Sequence, residues 1–318
     1  MDGQQMLAAL ESRERRRNER RDFFKAVGAA AVATGGLALA AHTSTAEAQT
    51  TAPTDADVLN FALNLEYLEA QFYSYAATGA GLPANLLTGT GTPGAVTGGA
   101  AVDFSGDPII GQYAREIAAD ERAHVEFLRG AIGATSTVSQ PAIDISATPT
   151  SAFSNAARAA GLIGAGETFN PYSSPNNFLL GAFIFEDVGV TAYKGASVLI
   201  TSKTFLEAAA GILAVEAYHA AIVRTALYQK GIATPSLVAA TTAISNARDS
   251  LDGADDRDQG IANIGSASNI APLDPMGIAY SRSTGQVLNI VYLNRAAVSA
   301  GGFFPNGVNG TVRTSAAN

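Results

Sequence analysis

The stretch EAYHAAIV, Glu216 to Val223, places a glutamate and a histidine three residues apart inside an apolar run. At that spacing both side chains project from one side of a helix, toward its buried face. The chain holds three histidines, His42, His124 and His219. His42 falls in an N-terminal stretch with the features of an export signal. His124 closes ERAH, Glu121 to His124. Each histidine beyond the signal therefore follows a glutamate by three residues.

Working outward, four segments carry helical periodicity. The first begins near Thr54-Asp55, a capping pair, and runs to about Ala77. The second runs from Asp107-Pro108 to Gly133, the third from about Asn176 to Ile200, and the fourth from about Lys203 to Gly231. Gly/Thr/Pro-rich connections of roughly 30 and 40 residues follow the first and second, and the first of them reads as a long surface loop. The second holds a short helical piece, SAFSNAARAAG. Further helices are expected near Ser236 to Ala247 and at TGQVLNIVYLNR. The acidic stretch DGADDRDQG lacks the spacing of a calcium loop and reads as solvated.

The charged residues inside the apolar faces fall in order. The first helix has Glu66, with Glu69 one turn on. The second has Glu121 and His124. The third has Glu186 with Asp187 beside it, and the fourth has Glu216 and His219. The pattern is Glu, Glu-x-x-His, Glu, Glu-x-x-His. A buried carboxylate costs several kcal/mol unless it is paired or bound to metal. Four helices sharing that cost call for a shared partner, and two metal ions supply it. Oxygen and nitrogen donors suit iron or manganese, with iron slightly preferred. In each Glu-x-x-His pair the glutamate can bridge two ions while the histidine caps one.

Tyr73 and Tyr193 lie seven residues after Glu66 and Glu186, two turns on along the same face. The chain therefore reads as two helix pairs related by a pseudo-two-fold, with the tyrosines placed for hydrogen bonding or electron transfer near the metals. The matched tyrosine favours Glu66 over Glu69 as the ligand of the first helix. Glu69 then stands behind the ligands, and Asp187, one residue off the face, is solvated or stands behind them too.

Composition narrows the function. Net charge is −8. The first 48 residues take seven of the 20 Lys/Arg and six of the 28 Asp/Glu, which leaves 13 and 22, a net −9. No basic patch remains to hold nucleic acid. There is no cysteine, hence no disulfide framework and no thiolate metal site. Residues 1–48 read as a twin-arginine-type signal. Arg20 and Arg21 precede Asp22 and an aromatic pair, and a run of small apolar residues from Ala26 to Ala41 leads to AEA, Ala46 to Ala48. The expected location is periplasmic or secreted, with the twin-arginine export machinery as partner. No later stretch reads as apolar enough to cross a membrane.

Glu66, Glu121-Arg122-Ala123-His124, Glu186 and Glu216-Ala217-Tyr218-His219 together resemble the ligand pattern of ferritin-like di-iron and di-manganese carboxylate proteins. More narrowly, NFALNLEYLEAQFYSYA and GGFFPNGVNG resemble the group that includes plant desiccation-related proteins and exported bacterial relatives. The resemblance implies an all-α, ferritin-like four-helix bundle over 54–231. Its inter-helix connections are long, and a C-terminal extension, 232–318, packs on it. Glu66 and Glu186 would be terminal ligands, Glu121 and Glu216 bridges, and His124 and His219 terminal nitrogen ligands.

Within that class several branches drop out. The long connections argue against a closed cage, while a homo-oligomer stays open. Met276 is the only methionine beyond the start region, so no haem is expected, and the lack of cysteine excludes a thiolate-bound iron. Three readings of function remain. The chain is a stress-related redox enzyme of ferroxidase, peroxidase, catalase or oxygenase type; a structural or protective envelope protein; or a shell whose site has lost its metals.

Overall fold

The computed structural model describes residues 52–318. The signal reading of residues 1–48, with Arg20 and Arg21, lies outside the described residues.

Four long helices carry the site. α1 spans Asp55–Thr78 and α2 Pro108–Ile132; a short α3, Ala152–Ala159, lies in the crossover to α4, Pro175–Ser197, and α5, Lys203–Ala233. Their starts are set locally. Thr54 and Asp57 cap α1 reciprocally, Ser174 caps α4 ahead of Pro175, and Ser202 caps α5. Gly79, in the left-handed region at φ 77°, ends α1.

α1 packs chiefly on α2, and α4 on α5. α1 and α4 run antiparallel, since Glu66 meets Tyr193 and Tyr73 meets Glu186. Every residue of α1 from Val58 to Tyr73 is buried, as is every residue of α4 from Phe178 to Gly189. Helices that are apolar all round go to the interior. α2 and α5 each bury one stripe, Ile110-Ala114-Ile117-Glu121-His124-Leu128 and Ala209-Ile212-Glu216-His219-Val223. The two Glu helices thus form the centre, and the two Glu-x-x-His helices flank it. By length and composition α5 does qualify as a membrane span, which corrects the reading that no later stretch is apolar enough. Its inner face, however, holds Glu216, His219 and Arg224 inside the bundle.

The long connections are not mere surface loops. Val96–Gly98 (β1) pairs in parallel with Ile143–Ile145 (β2), and Ile143 and Ile145 are fully buried. The Tyr67 hydroxyl donates to the Leu86 carbonyl at 2.9 Å. α1 has apolar side chains on every face, so its outer side needs a cover, and the connections supply it. This small strand pair and three isolated bridges, one of them between Thr90 and Val138, are the β-structure among the described residues.

Residues 232–318 hold α6, Pro235–Asp252, and α7, Thr284–Val291, and they belong to one compact unit with the bundle. Phe303 stands edge-on to Phe153 and Phe185 at centroid distances of 5.1 and 4.9 Å. Further along the tail, the Asn309 side chain bonds both long connections, and its backbone bonds Asn64 of α1. A buried ionic chain completes the docking. Arg224 reaches Asp187 at 2.8 Å, and Arg248 reaches Asp187 at 3.1 Å and Asp258 at 2.5 Å. Arg282 then joins Asp258 at 3.1 Å and Asp252 at 2.5 Å. Two expectations are corrected here. Asp187 is not solvated, because two arginines from the second half of the chain fold over it. The acidic stretch is only partly solvated, since Asp252 and Asp258 are buried as counter-ions.

Candidate metal centre

Four helices bring their acidic and imidazole side chains to one point in the bundle. Glu66, Glu69, Glu121, Glu186 and Glu216 are all buried, as are His124 and His219. Two overlapping sets offer donor atoms within 4.8 Å of one another: Glu66, Glu121, His124 and Glu216, and Glu121, Glu186 and His219. Glu121 belongs to both sets. Glu216 belongs to the first alone, and Glu69 to neither.

The spacing follows from the local geometry. Glu121 and His124 stand one turn apart on α2 and face α1, with His124 Nδ1 3.2 Å from Glu66 and 3.6 Å from Glu121. Glu216 and His219 also stand one turn apart, on α5, and His219 faces α2 and α4, with its Nδ1 2.9 Å from Glu121 and 3.7 Å from Glu186. At 2.9 Å the His219–Glu121 contact has hydrogen-bond length but not hydrogen-bond angles. His219 Nδ1 and both Glu121 oxygens have no hydrogen-bond partner among the described residues. The same holds for both Glu216 oxygens and for Glu186 Oε2. Buried acceptors of this kind are normally satisfied. Here they converge on a common space, and this set of orphaned oxygen and nitrogen donors fits a pair of metal ions.

The electrostatics are those of crowded acids. Burial, with Glu121 close by, pushes the Glu66 carboxyl up to about 7, and burial likewise raises Glu186 to about 8. Burial drives Glu69 and Glu216 well above the usual range, with the neighbouring carboxylates adding to it. Burial acts on Glu121 in the same sense, but the imidazoles on either side outweigh it and hold Glu121 at about 2. Protons thus balance part of the charge, and divalent cations would balance the same carboxylates directly.

The tyrosines work crosswise. Tyr73 of α1 donates its hydroxyl to Glu186 of α4, and Tyr193 of α4 donates to Glu66 of α1. Each fixes one oxygen of a central glutamate; the other oxygen of Glu186 has no hydrogen-bond partner among the described residues, and that of Glu66 faces His124 Nδ1. Because α1 and α4 are antiparallel, the seven-residue spacing in each helix closes two equivalent bonds.

Two contributors escaped the sequence reading. Asp120 Oδ2 lies 3.1 Å from His219 Nε2, so a partly exposed carboxylate orients the ring whose other nitrogen faces the cluster. The signal was present, an acid directly before Glu121, but only the fold brings α5 against it. The second is Gly189 of α4. A Cβ there would lie 2.1 Å from Glu216 Oε2 and 3.6 Å from Glu69 Oε1. The missing side chain makes room for both carboxylates.

Comparison with known proteins agrees with this architecture. A ferritin-like catalase of Nesocodon mauritianus is 28% identical over 274 residues, 81% of this chain and 84% of the relative. A desiccation-related protein of Craterostigma plantagineum is 34% identical over 179 residues, 55% of this chain and 54% of the relative. No solved structure matches the chain. A family model described as a ferritin-like domain matches residues 54–229, a span that takes in every acid and histidine of the cluster, and the chain belongs to that ferritin-like family.

Proposed function

We propose that this protein is an exported di-metal enzyme that disproportionates hydrogen peroxide, with iron or manganese held by Glu66, Glu121, His124, Glu186, Glu216 and His219. The observation that carries the reading is the set of buried carboxylate and imidazole donors brought together from four helices, with atoms of Glu121, Glu186, Glu216 and His219 left without a hydrogen-bond partner among the described residues. Similarity to a ferritin-like catalase over most of the chain supports peroxide as the substrate.

A bound metal pair would supply a reversible redox couple for peroxide. The protein's own part is positioning. Glu121, common to both donor sets, and Glu216, in one of them, would hold the metals together with the other donors. Tyr193 and Tyr73 hold Glu66 and Glu186 in one orientation. Asp120 orients His219, and Gly189 leaves room for the Glu216 carboxylate. The apolar side chains of α1 and α4 keep bulk water away.

The test is metal content by mass spectrometry on the chain from residue 49 onward, purified without an affinity metal, together with oxygen release from peroxide. About two iron or manganese ions per chain, with turnover and with both lost in Glu121→Ala, is the expected result. Zinc bound as readily as iron, without turnover, would favour the second reading. That reading is a protective envelope protein with a structural site, and the desiccation-related relative supports it. Export by the twin-arginine route, and a periplasmic or secreted location, are part of the proposal. Changing Arg20 and Arg21 to lysine should leave the precursor in the cytoplasm, and continued export would rule the route out.

A further inference from the structure

Glu69 is a buried acid that the metal-binding scheme leaves unused. It is 4% exposed, makes no hydrogen bond or ion pair with any described residue, and lies in neither donor set. Burying it for no purpose would cost several kcal/mol, so its surroundings matter. They form a small cavity of about 20 Å³ between α1, α4 and the C-terminal extension. The walls include Leu68, Phe185, Val188, Ile290 and Phe303, and the polar end is Glu69 beside Gly189. Gly189 lines this cavity and also borders the cluster, since a Cβ there would lie 2.1 Å from Glu216 Oε2 and 3.6 Å from Glu69 Oε1.

We propose that this cavity is a binding pocket for one small uncharged molecule, hydrogen peroxide, which Glu69 holds by a hydrogen bond against the carboxylate cluster. The volume exceeds the roughly 10–15 Å³ that one water needs, and leaves no room for an organic hydroperoxide. The apolar walls favour a neutral guest over an ion. The C-terminal extension, through Ile290 and Phe303, builds part of the wall, so the pocket exists only in the full chain.

The proposal rests on the peroxide reading for its ligand but not for its geometry, and the test separates the two. Crystals of the full-length mature chain are pressurised with krypton, which seeks apolar cavities. A krypton peak beside Val188 and Phe303 is expected in the wild type and none in Val188→Ile, whose added methylene fills the space. Glu69→Gln is expected to keep both metal ions, and Val188→Ile to raise KM for peroxide about tenfold. No krypton peak in the wild type, or loss of metal in Glu69→Gln, overturns the proposal, the latter by making Glu69 a ligand. A krypton site with normal metal content but no peroxide turnover overturns peroxide as the guest and removes the proposed function, while the cavity stands.

Discussion

At Gly189 a single hydrogen in place of a methyl group sets the space open to two carboxylates. Alanine is the better helix former by about 1 kcal/mol, and on propensity alone Gly189→Ala should stabilise α4. The clash should win instead, because a Cβ 2.1 Å from Glu216 Oε2 forces that carboxylate to move. The expected result is a folded protein that holds fewer than two metals, measured by mass spectrometry on the purified variant. The tyrosines give a second prediction. Tyr73→Phe and Tyr193→Phe each leave a buried glutamate oxygen without its donor. Metal affinity should fall roughly 10- to 100-fold in each variant, as for other groups that orient a ligand, and competition with a chelator reads it. Equal losses would support the crosswise symmetry.

At the scale of elements, the division of labour among the helices explains the site. α1 and α4 are buried on all sides and therefore rigid; they carry Glu66, Glu69 and Glu186. α2 and α5 present one stripe inward and supply the two Glu-x-x-His pairs. The ionic chain from Asp187 to Asp252 then pins α4 to α6 and to the segment before α7. Its partners are almost fully buried, with Arg224 and Asp252 at 0% exposure and Arg282 at 1%. Removing one charge strands the others. Arg282→Met should cost about 3–5 kcal/mol in urea unfolding, because Asp252 and Asp258 both lose a counter-ion. A change below about 1 kcal/mol would mean that water reaches the acids. Gly195 marks how closely these parts meet, since a Cβ there would lie 1.8 Å from the Arg282 carbonyl oxygen.

At the scale of the whole molecule, the long connections and the tail close over the outer faces of α1 and α4. The core is therefore larger than a four-helix bundle alone, and aromatic rings from the crossover, from α4 and from the tail pack as one cluster. This predicts how the protein answers metal removal. The apolar core holds the helices, so a chelated sample should keep its helical circular dichroism at room temperature. Its thermal midpoint should still fall, because metal bound at 1,000 times its Kd contributes about 4 kcal/mol. Loss of helix on chelation at room temperature would show instead that the metals hold the bundle together.

The four helices and their six candidate donors could be read along the chain because their signals are local. Caps, apolar periodicity and the i, i+3 spacing of Glu121 with His124 and Glu216 with His219 depend only on neighbouring residues. The two long connections showed nothing of their pairing, because β1 and β2 are three residues each and lie far apart in sequence. Glu66 and Glu69 lie one turn apart on the same apolar helix, and along the chain only the spacing of Tyr73 favours Glu66. The packing of α4 separates them: Tyr193 meets Glu66, whereas Glu69 faces Gly189 and a small cavity. Asp120, the crosswise pairing of the two tyrosines and the arginines over Asp187 could not be read in advance for the same reason. Each acts on a residue 35 or more positions away, and such contacts arise only once the helices have packed.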